Sequence, residues 1–415
     1  MRCRLLPVAI LLTPLLMGPV VPASFAQPAD ESTPAPVIES PPPSPGSLPD
    51  EHLLPELTPL EREDAVIELG ELRGAVRIAP DSAEARLKLA QGLYRIGDLD
   101  AAIEECRASI KLKPDDAKAH LQLGVILMAK QDWRAASSVL KEAIRLAPEL
   151  THAYYSLGSV QYSLGHVKAA IQSYRQALEL QPHFPDARYR LALLLKLTNH
   201  DQEAARLMEE AAIGGVSQAQ FFLGNAYKSG QGVEKNPAKA IFWWTKAVEF
   251  GHQPAADALS KLRRQALSPD QTDRQRNAAL DAFRSYRDKL WDDFPDYSRT
   301  DDNETLGSML LKQNRADHAV SVLLKESYAL SDVAQAELAA LYESGWNQHL
   351  APFDKKILSC IETTAAEGFL PARKALARIY GKGLGMEPDV QKAKAILKGL
   401  SKQEMKPVLD ELGLQ

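Results

Sequence analysis

Apolar residues return at helical spacing along most of this chain, and the arrangement itself repeats. Leu89, Leu123, Leu157 and Leu191 stand 34 residues apart, each followed by a small residue: Ala90, Gly124, Gly158 and Ala192. Ala102, Ala136, Ala170 and Ala204 follow in step, then Cys106, Leu140, Tyr174 and Met208, then Ser109, Ala143, Ala177 and Ala211. Pro80, Pro114, Pro148 and Pro182 punctuate the series. The pattern predicts a helix, a tight turn and a second helix in each repeat. The small residues allow the two helices to approach closely. Each proline ends the second helix, because it lacks an N–H and disfavours helix in the residue before it. Turn signals fall between the helices at Ile96-Gly97-Asp98, Lys130-Gln131-Asp132 and Leu164-Gly165-His166. One helix pair cannot bury its apolar face alone, but four stacked pairs make a continuous core.

This period with its Leu-small, Ala and Pro landmarks resembles the tetratricopeptide repeat (TPR) family over about residues 81–216. The fourth unit departs from the family, with Val216 where the closing proline belongs. Beyond it, Leu223-Gly224, Tyr227, Gly230, Gly232-Val233, Ala240, Trp244, Ala247 and Gly251 resemble a Sel1-like repeat. The spacing recurs at Leu376-Ala377, Tyr380, Gly383, Gly385-Met386 and Ala393. A weaker copy begins at Leu338-Ala339, Tyr342 and Gly345, with Asn347 in place of the second glycine and a close at Gly368. A further TPR-like pair shows at Leu306-Gly307, Ala319 and Leu323. Ala255 to Ala266 and Asn277 to Phe294 read as amphipathic helices in a less regular segment, and Lys402 to Leu412 as a capping helix. The expected fold is all-α, a right-handed α-solenoid of TPR and Sel1-like helix-turn-helix repeats. The expected divisions are an N-terminal helix plus four TPR repeats over 61–216 and a Sel1-like repeat over 217–266. Irregular helices with a TPR-like repeat follow over 267–332, then two Sel1-like repeats and a cap over 333–415.

The front of the chain is different in kind. Arg2 and Arg4 precede an apolar run from Leu5 to Val21, and Ser24-Phe25-Ala26 offers small residues at the positions a signal peptidase reads. This order predicts a secretory signal peptide over residues 1–26, cleaved after Ala26, and hence a periplasmic or secreted protein with no transmembrane span after cleavage. Residues 27–60 are rich in Pro, Ser and acidic side chains and read as a disordered linker. The net charge of −5 argues against a nucleic-acid partner. Besides Cys3 there are only Cys106 and Cys360, too few for a disulfide scaffold, and both read as small buried apolar residues.

No phosphate-binding glycine loop, zinc-protease motif or cysteine pair at metal spacing occurs, so neither enzyme chemistry nor a cofactor is expected. In TPR proteins partners lie along the first helix of each repeat, and the resemblance implies one row of Leu87, Leu121, Tyr155 and Tyr189 and another of Tyr94, Met128, Tyr162 and Lys196. Lys88 and Arg190 lie in a polar row beside them. Tyrosines on such a face suit a protein or peptide partner, including envelope or polysaccharide-export machinery. The basic clamp with which some TPR proteins hold a chaperone's terminal carboxylate is absent: Leu87 and Gln91 occupy its first two positions. The expected function is an exported interaction scaffold. The alternative is a polysaccharide- or peptidoglycan-associated protein that stacks sugars on Trp243, Trp244, Trp291 or Trp346.

Overall fold

A computed structural model describes residues 58–298, 304–346 and 349–414. The expected signal peptide, its cleavage point, most of the linker and Asn347 lie outside the described residues.

Among the described residues the regular structure is helical, apart from a single isolated bridge between Trp346 and Leu350. Helix α1 (Pro59–Ile78) opens the array. Four hairpins follow: α2 (Ala83–Arg95) with α3 (Leu99–Leu112), α4 (Ala117–Ala129) with α5 (Trp133–Leu146), α6 (Thr151–Ser163) with α7 (Val167–Leu180), and α8 (Pro185–Leu197) with α9 (Asp201–Ile213). Helices α1, α3, α5 and α7 each stop two residues short of Pro80, Pro114, Pro148 and Pro182. Side-chain caps fix several helix starts, such as Asp98 accepting from Ala101 N (3.2 Å) at α3 and Asp116 accepting from Lys118 N (3.0 Å) at α4.

The small residue after each leucine meets the second helix of its own hairpin. A Cβ on Gly124 would lie 2.6 Å from Leu140 Cδ2, and one on Gly158 would lie 2.9 Å from Tyr174 Cε1. The turn between helices needs a left-handed residue at one position. Gly97 and Gly165 supply it freely, whereas Gln131 and Asn199 hold the equivalent places at φ 61°.

After Gly215 the pattern changes. Helices α10 (Ser217–Ser229) and α11 (Pro237–Glu249) are joined through Gly230 and Gly232, both at positive φ. A Cβ on Gly224 would lie 2.4 Å from Trp244 Cδ1. Helices α12 (Gln253–Leu267) and α13 (Asp273–Lys289) occupy the irregular segment, with a 3-10 turn at Leu290–Asp293. Then come α14 (Leu306–Lys312) with α15 (Ala316–Tyr328), α16 (Asp332–Ser344) with α17 (Lys355–Ala366), and α18 (Leu370–Lys382) with α19 (Val390–Leu397). Helix α20 (Lys402–Glu411) ends the array behind a capping box of Ser401 and Glu404. Most helices pack on their neighbours in sequence, with α13 also on α11 and α20 on α18, which makes the described chain an α-solenoid.

The core forms two clusters that meet within α6. One runs from Leu69 to Val160, the other from Tyr162 to Val408. No described helix is long and apolar enough to cross a membrane.

Candidate functional site

The first helices of the TPR block divide the expected partner-facing residues into two groups. Leu87, Tyr94, Leu121 and Tyr155 are half-buried on α2, α4 and α6, and Lys88 is exposed beside them, paired with Glu84 at 2.7 Å. Met128, Tyr162, Tyr189 and Arg190 are buried instead. For these four the expectation of a partner-facing position is corrected. The first helices of successive repeats, α2 with α4 and α4 with α6, pack on each other. Long side chains at the later positions are covered by the next unit. Phe222 of α10 stacks on Tyr189 with ring centroids 6.2 Å apart. Tyr162 is buried on α6, and that burial pushes its phenol pKa up. Tyr155 stays at the edge, with Phe184 at 4.9 Å and Tyr174 at 5.7 Å. What remains reachable is an apolar strip of Leu87, Tyr94, Leu121 and Tyr155 flanked by a lysine. Such a strip binds by shape and apolar area, and brings no reactive group to a ligand.

The tryptophans do not form a platform. Trp244 is fully buried, and its indole donates to Asn225 Oδ1 at 3.2 Å. Trp243 meets Phe242 edge to face on α11, while Trp291 lies in the 3-10 turn and Trp346 follows α16.

Sequence reasoning missed a second feature, in the C-terminal half. An apolar cavity of about 330 Å³ lies where α11, α12 and α13 face α15 and α17. Ile241, Leu259, Phe283, Tyr286 and Tyr328 line it. Two ion pairs cross the same gap. Arg263 forks onto Glu367, with Nε to Oε2 and Nη2 to Oε1 (2.8 Å), and both side chains are buried. Its guanidinium also sits 5.4 Å from the Tyr328 ring centroid. Lys325 meets Glu249 at 2.9 Å. Burial works against the Glu249 charge, but Lys325 and Lys246 overcome it and hold the carboxyl below its usual range. The phenols of Tyr286 and Tyr328 are pushed up by burial and bond to Thr245 and Thr363. With these groups already paired, the cavity takes an apolar group and offers little to orient a polar one.

A third cluster surrounds α14. In the earlier repeats the first helix begins six residues before its landmark leucine; here it begins at Leu306 itself. Glu326 replaces the lost turn. Its carboxylate accepts from Leu306 N (2.9 Å) and Gly307 N (3.1 Å). Burial nevertheless dominates and pushes this carboxyl up to about 7. Nearby, Ser327 Oγ donates to Gln335 Oε1 (2.7 Å) and Thr364 Oγ1 donates to the same atom (3.3 Å). Cys360 borders this network and Cys106 lies in the first cluster; both are free and buried, and burial pushes their thiols to about 11 and about 12. Among the described residues no group of three His, Cys, Asp or Glu is placed to hold a metal ion.

The fold and this surface define a class: a helical repeat scaffold. Residues 63–117, 121–183 and 155–219 match the tetratricopeptide repeat family model, and residues 217–252 and 371–398 match the Sel1 repeat model. The chain therefore carries both repeat types, families that are generally scaffolds rather than enzymes. DAP3-binding cell death enhancer 1 of Rattus norvegicus is 36% identical over 62 residues. That stretch is 15% of this chain and 12% of the rat protein, so the chain spans only a small part of that relative's length. Among solved structures, MamA is 26% identical, with 39% of this chain and 94% of that chain covered and a TM-score of 0.35. YrrB, described as a TPR protein with an unusual peptide-binding site, is 22% identical, with 45% and 96% covered and a TM-score of 0.36.

Proposed function

We propose that this protein is an exported scaffold that holds a protein or peptide partner along the first helices of its TPR block and performs no chemistry on it. One observation carries the reading: Leu87, Leu121 and Tyr155 recur at equivalent edges of successive repeats and stay half-exposed, with Tyr94 half-exposed beside them on α2, while Met128, Tyr162 and Tyr189 of the same rows are buried. Half-buried tyrosines provide large, rigid contact area with a polar tip, at low entropic cost. Export is supported by the charged, apolar and small-residue order of residues 1–26. Periplasmic envelope or polysaccharide-export machinery is the partner class consistent with that route.

Crosslinking and affinity capture from envelope fractions tests the reading, with Tyr155→Ala and Tyr94→Ala beside the parent protein. Each substitution is expected to weaken partner binding roughly tenfold, the cost of removing an aromatic anchor. Absence of any stable partner, or binding indifferent to both substitutions, refutes it. N-terminal sequencing of the protein recovered from the periplasm is expected to begin at Gln27.

A further inference from the structure

Helix α1 has a covered apolar face and, opposite it, an uncovered stripe that is apolar from Ile67 to Ile78. Ala65 and Leu69 are buried against the repeat block, with Leu72 and Val76 packed beside them. At 100° per residue, Ile67, Gly70, Gly74 and Ile78 fall on the opposite side, in line with the exposed Glu63 at the N-terminal end of the stripe. There Ile67 is 66% and Ile78 87% exposed, and Val66 at the edge is 57% exposed. Nothing lies within 4 Å of a Cβ built on Gly70 or Gly74. The first helix of a solenoid ordinarily turns a polar face outward, so this face is an exception that asks for a cover.

We propose that the cover is a second copy of this chain, packed α1 against α1 about a two-fold axis parallel to the helices. The flanks of the stripe choose the occupant and its direction. Asp64 and Glu71 run along one side; Arg73 and Arg77 run along the other, and all four are exposed. In a parallel pair the acidic flank of each copy meets the basic flank of its partner, and only Glu63, at the open N-terminal end of the stripe, faces its own counterpart. An antiparallel pair brings like charges together on both sides, which is unfavourable. The parallel arrangement also places Gly70 and Gly74 against their own counterparts, so the backbones come close and Ile67 and Ile78 of the two copies interleave. The pair leaves the TPR and Sel1 blocks directed away from the axis, and so presents two partner strips on one particle.

Sedimentation velocity of the purified full chain over a range of micromolar concentrations reads the association, and oxidative crosslinking reads its direction. In a Cys3→Ser background, where Cys106 and Cys360 are buried, Gly74→Cys alone is expected to form a disulfide-linked dimer. Ile67→Glu, at a largely exposed position of the monomer, is expected to weaken dimerisation at least tenfold while leaving the helical circular dichroism unchanged. Glu71→Arg is expected to weaken it, and adding Arg73→Glu to restore it. A monomer at every concentration, a dimer indifferent to Ile67→Glu, or crosslinking only when Gly70→Cys and Gly74→Cys chains are mixed would overturn the proposal.

Discussion

Glu326 makes stability depend on pH, in a direction opposite to that of an ordinary surface carboxylate. Its carboxyl lies at about 7 in the folded chain against 4.5 when unperturbed. Between those values the folded chain keeps a proton that the unfolded chain has released. Stability is therefore full below the unfolded value, falls as pH rises through the window, and levels off above about 7. A gap of about 2.5 pK units at roughly 1.4 kcal/mol each gives a loss on the order of 3 kcal/mol. Glu337, raised mainly by burial, adds to the loss in the same direction. Glu326→Gln isolates the effect. The amide keeps the shape and one acceptor, but it points an N–H at either Leu306 N or Gly307 N, at a cost of about 1–3 kcal/mol when that donor stays buried and unmatched. It also removes the titration. The parent protein is thus expected to be clearly the more stable at about pH 5, with the advantage shrinking by about 3 kcal/mol towards about pH 8. Urea unfolding followed by circular dichroism at four pH values measures the difference, and amide exchange across Leu306–Lys312 assigns it to α14. Parallel stability curves for the two proteins across this range would show that Glu326 does not titrate there and would refute the reasoning.

Three further outcomes follow from single contacts. Arg263→Met leaves Glu367 buried without its fork and is expected to cost about 3–5 kcal/mol, measured by urea denaturation, with much of the loss recovered when Glu367→Gln is added. Gly224→Ala drives a methyl into the Trp244 ring and is expected to destabilise the Sel1 unit by about 1–3 kcal/mol, seen as a lowered midpoint and increased tryptophan fluorescence exposure. Gln131→Gly relieves a left-handed residue at an inter-helix turn and is expected to raise stability by about 0.5–1 kcal/mol in the same assay.

The repeat architecture was readable because it depends on short-range rules. A proline disfavours helix in the residue before it through its own ring, so Pro80, Pro114, Pro148 and Pro182, each two residues past a helix, mark helix ends without reference to anything distant. The small residues at Gly124, Gly158 and Gly224 are likewise local, because the helix each one meets lies less than one repeat further on. The irregular segment was readable to the same depth. Apolar spacing gave its two helices, but the start of α13 at Asp273 depends on the Thr272 cap rather than on apolar spacing, and the pattern ran on through a 3-10 turn.

The half-exposed strip of Leu87, Tyr94, Leu121 and Tyr155 was readable only in outline, and the reason is physical. Helical periodicity names the residues that share a face; it does not name what covers the face. Tyr155 and Tyr189 hold equivalent places, yet one is half-exposed while the other lies beneath Phe222. Both have an aromatic neighbour contributed from beyond their own hairpin, Phe184 for Tyr155 and Phe222 for Tyr189, so exposure depends on how the following unit packs and not on the row alone. Long-range pairs were invisible for the same reason: Arg263 and Glu367 are brought together across more than a hundred residues, and neither stands at a repeat landmark. Glu326 is the instructive intermediate. It occupies the landmark that reads Ser109, Ala143, Ala177 and Ala211 in the earlier units, seven residues after Ala319 as each of those follows its own alanine. A carboxylate where every other copy has a small residue is a signal present in the sequence itself. Repeats make such a signal legible, since each unit serves as a control for the others, and an ionisable residue at a buried landmark needs a partner that the other copies do not supply. Here that partner is the start of α14, where the missing first turn leaves N–H groups from which the carboxylate accepts.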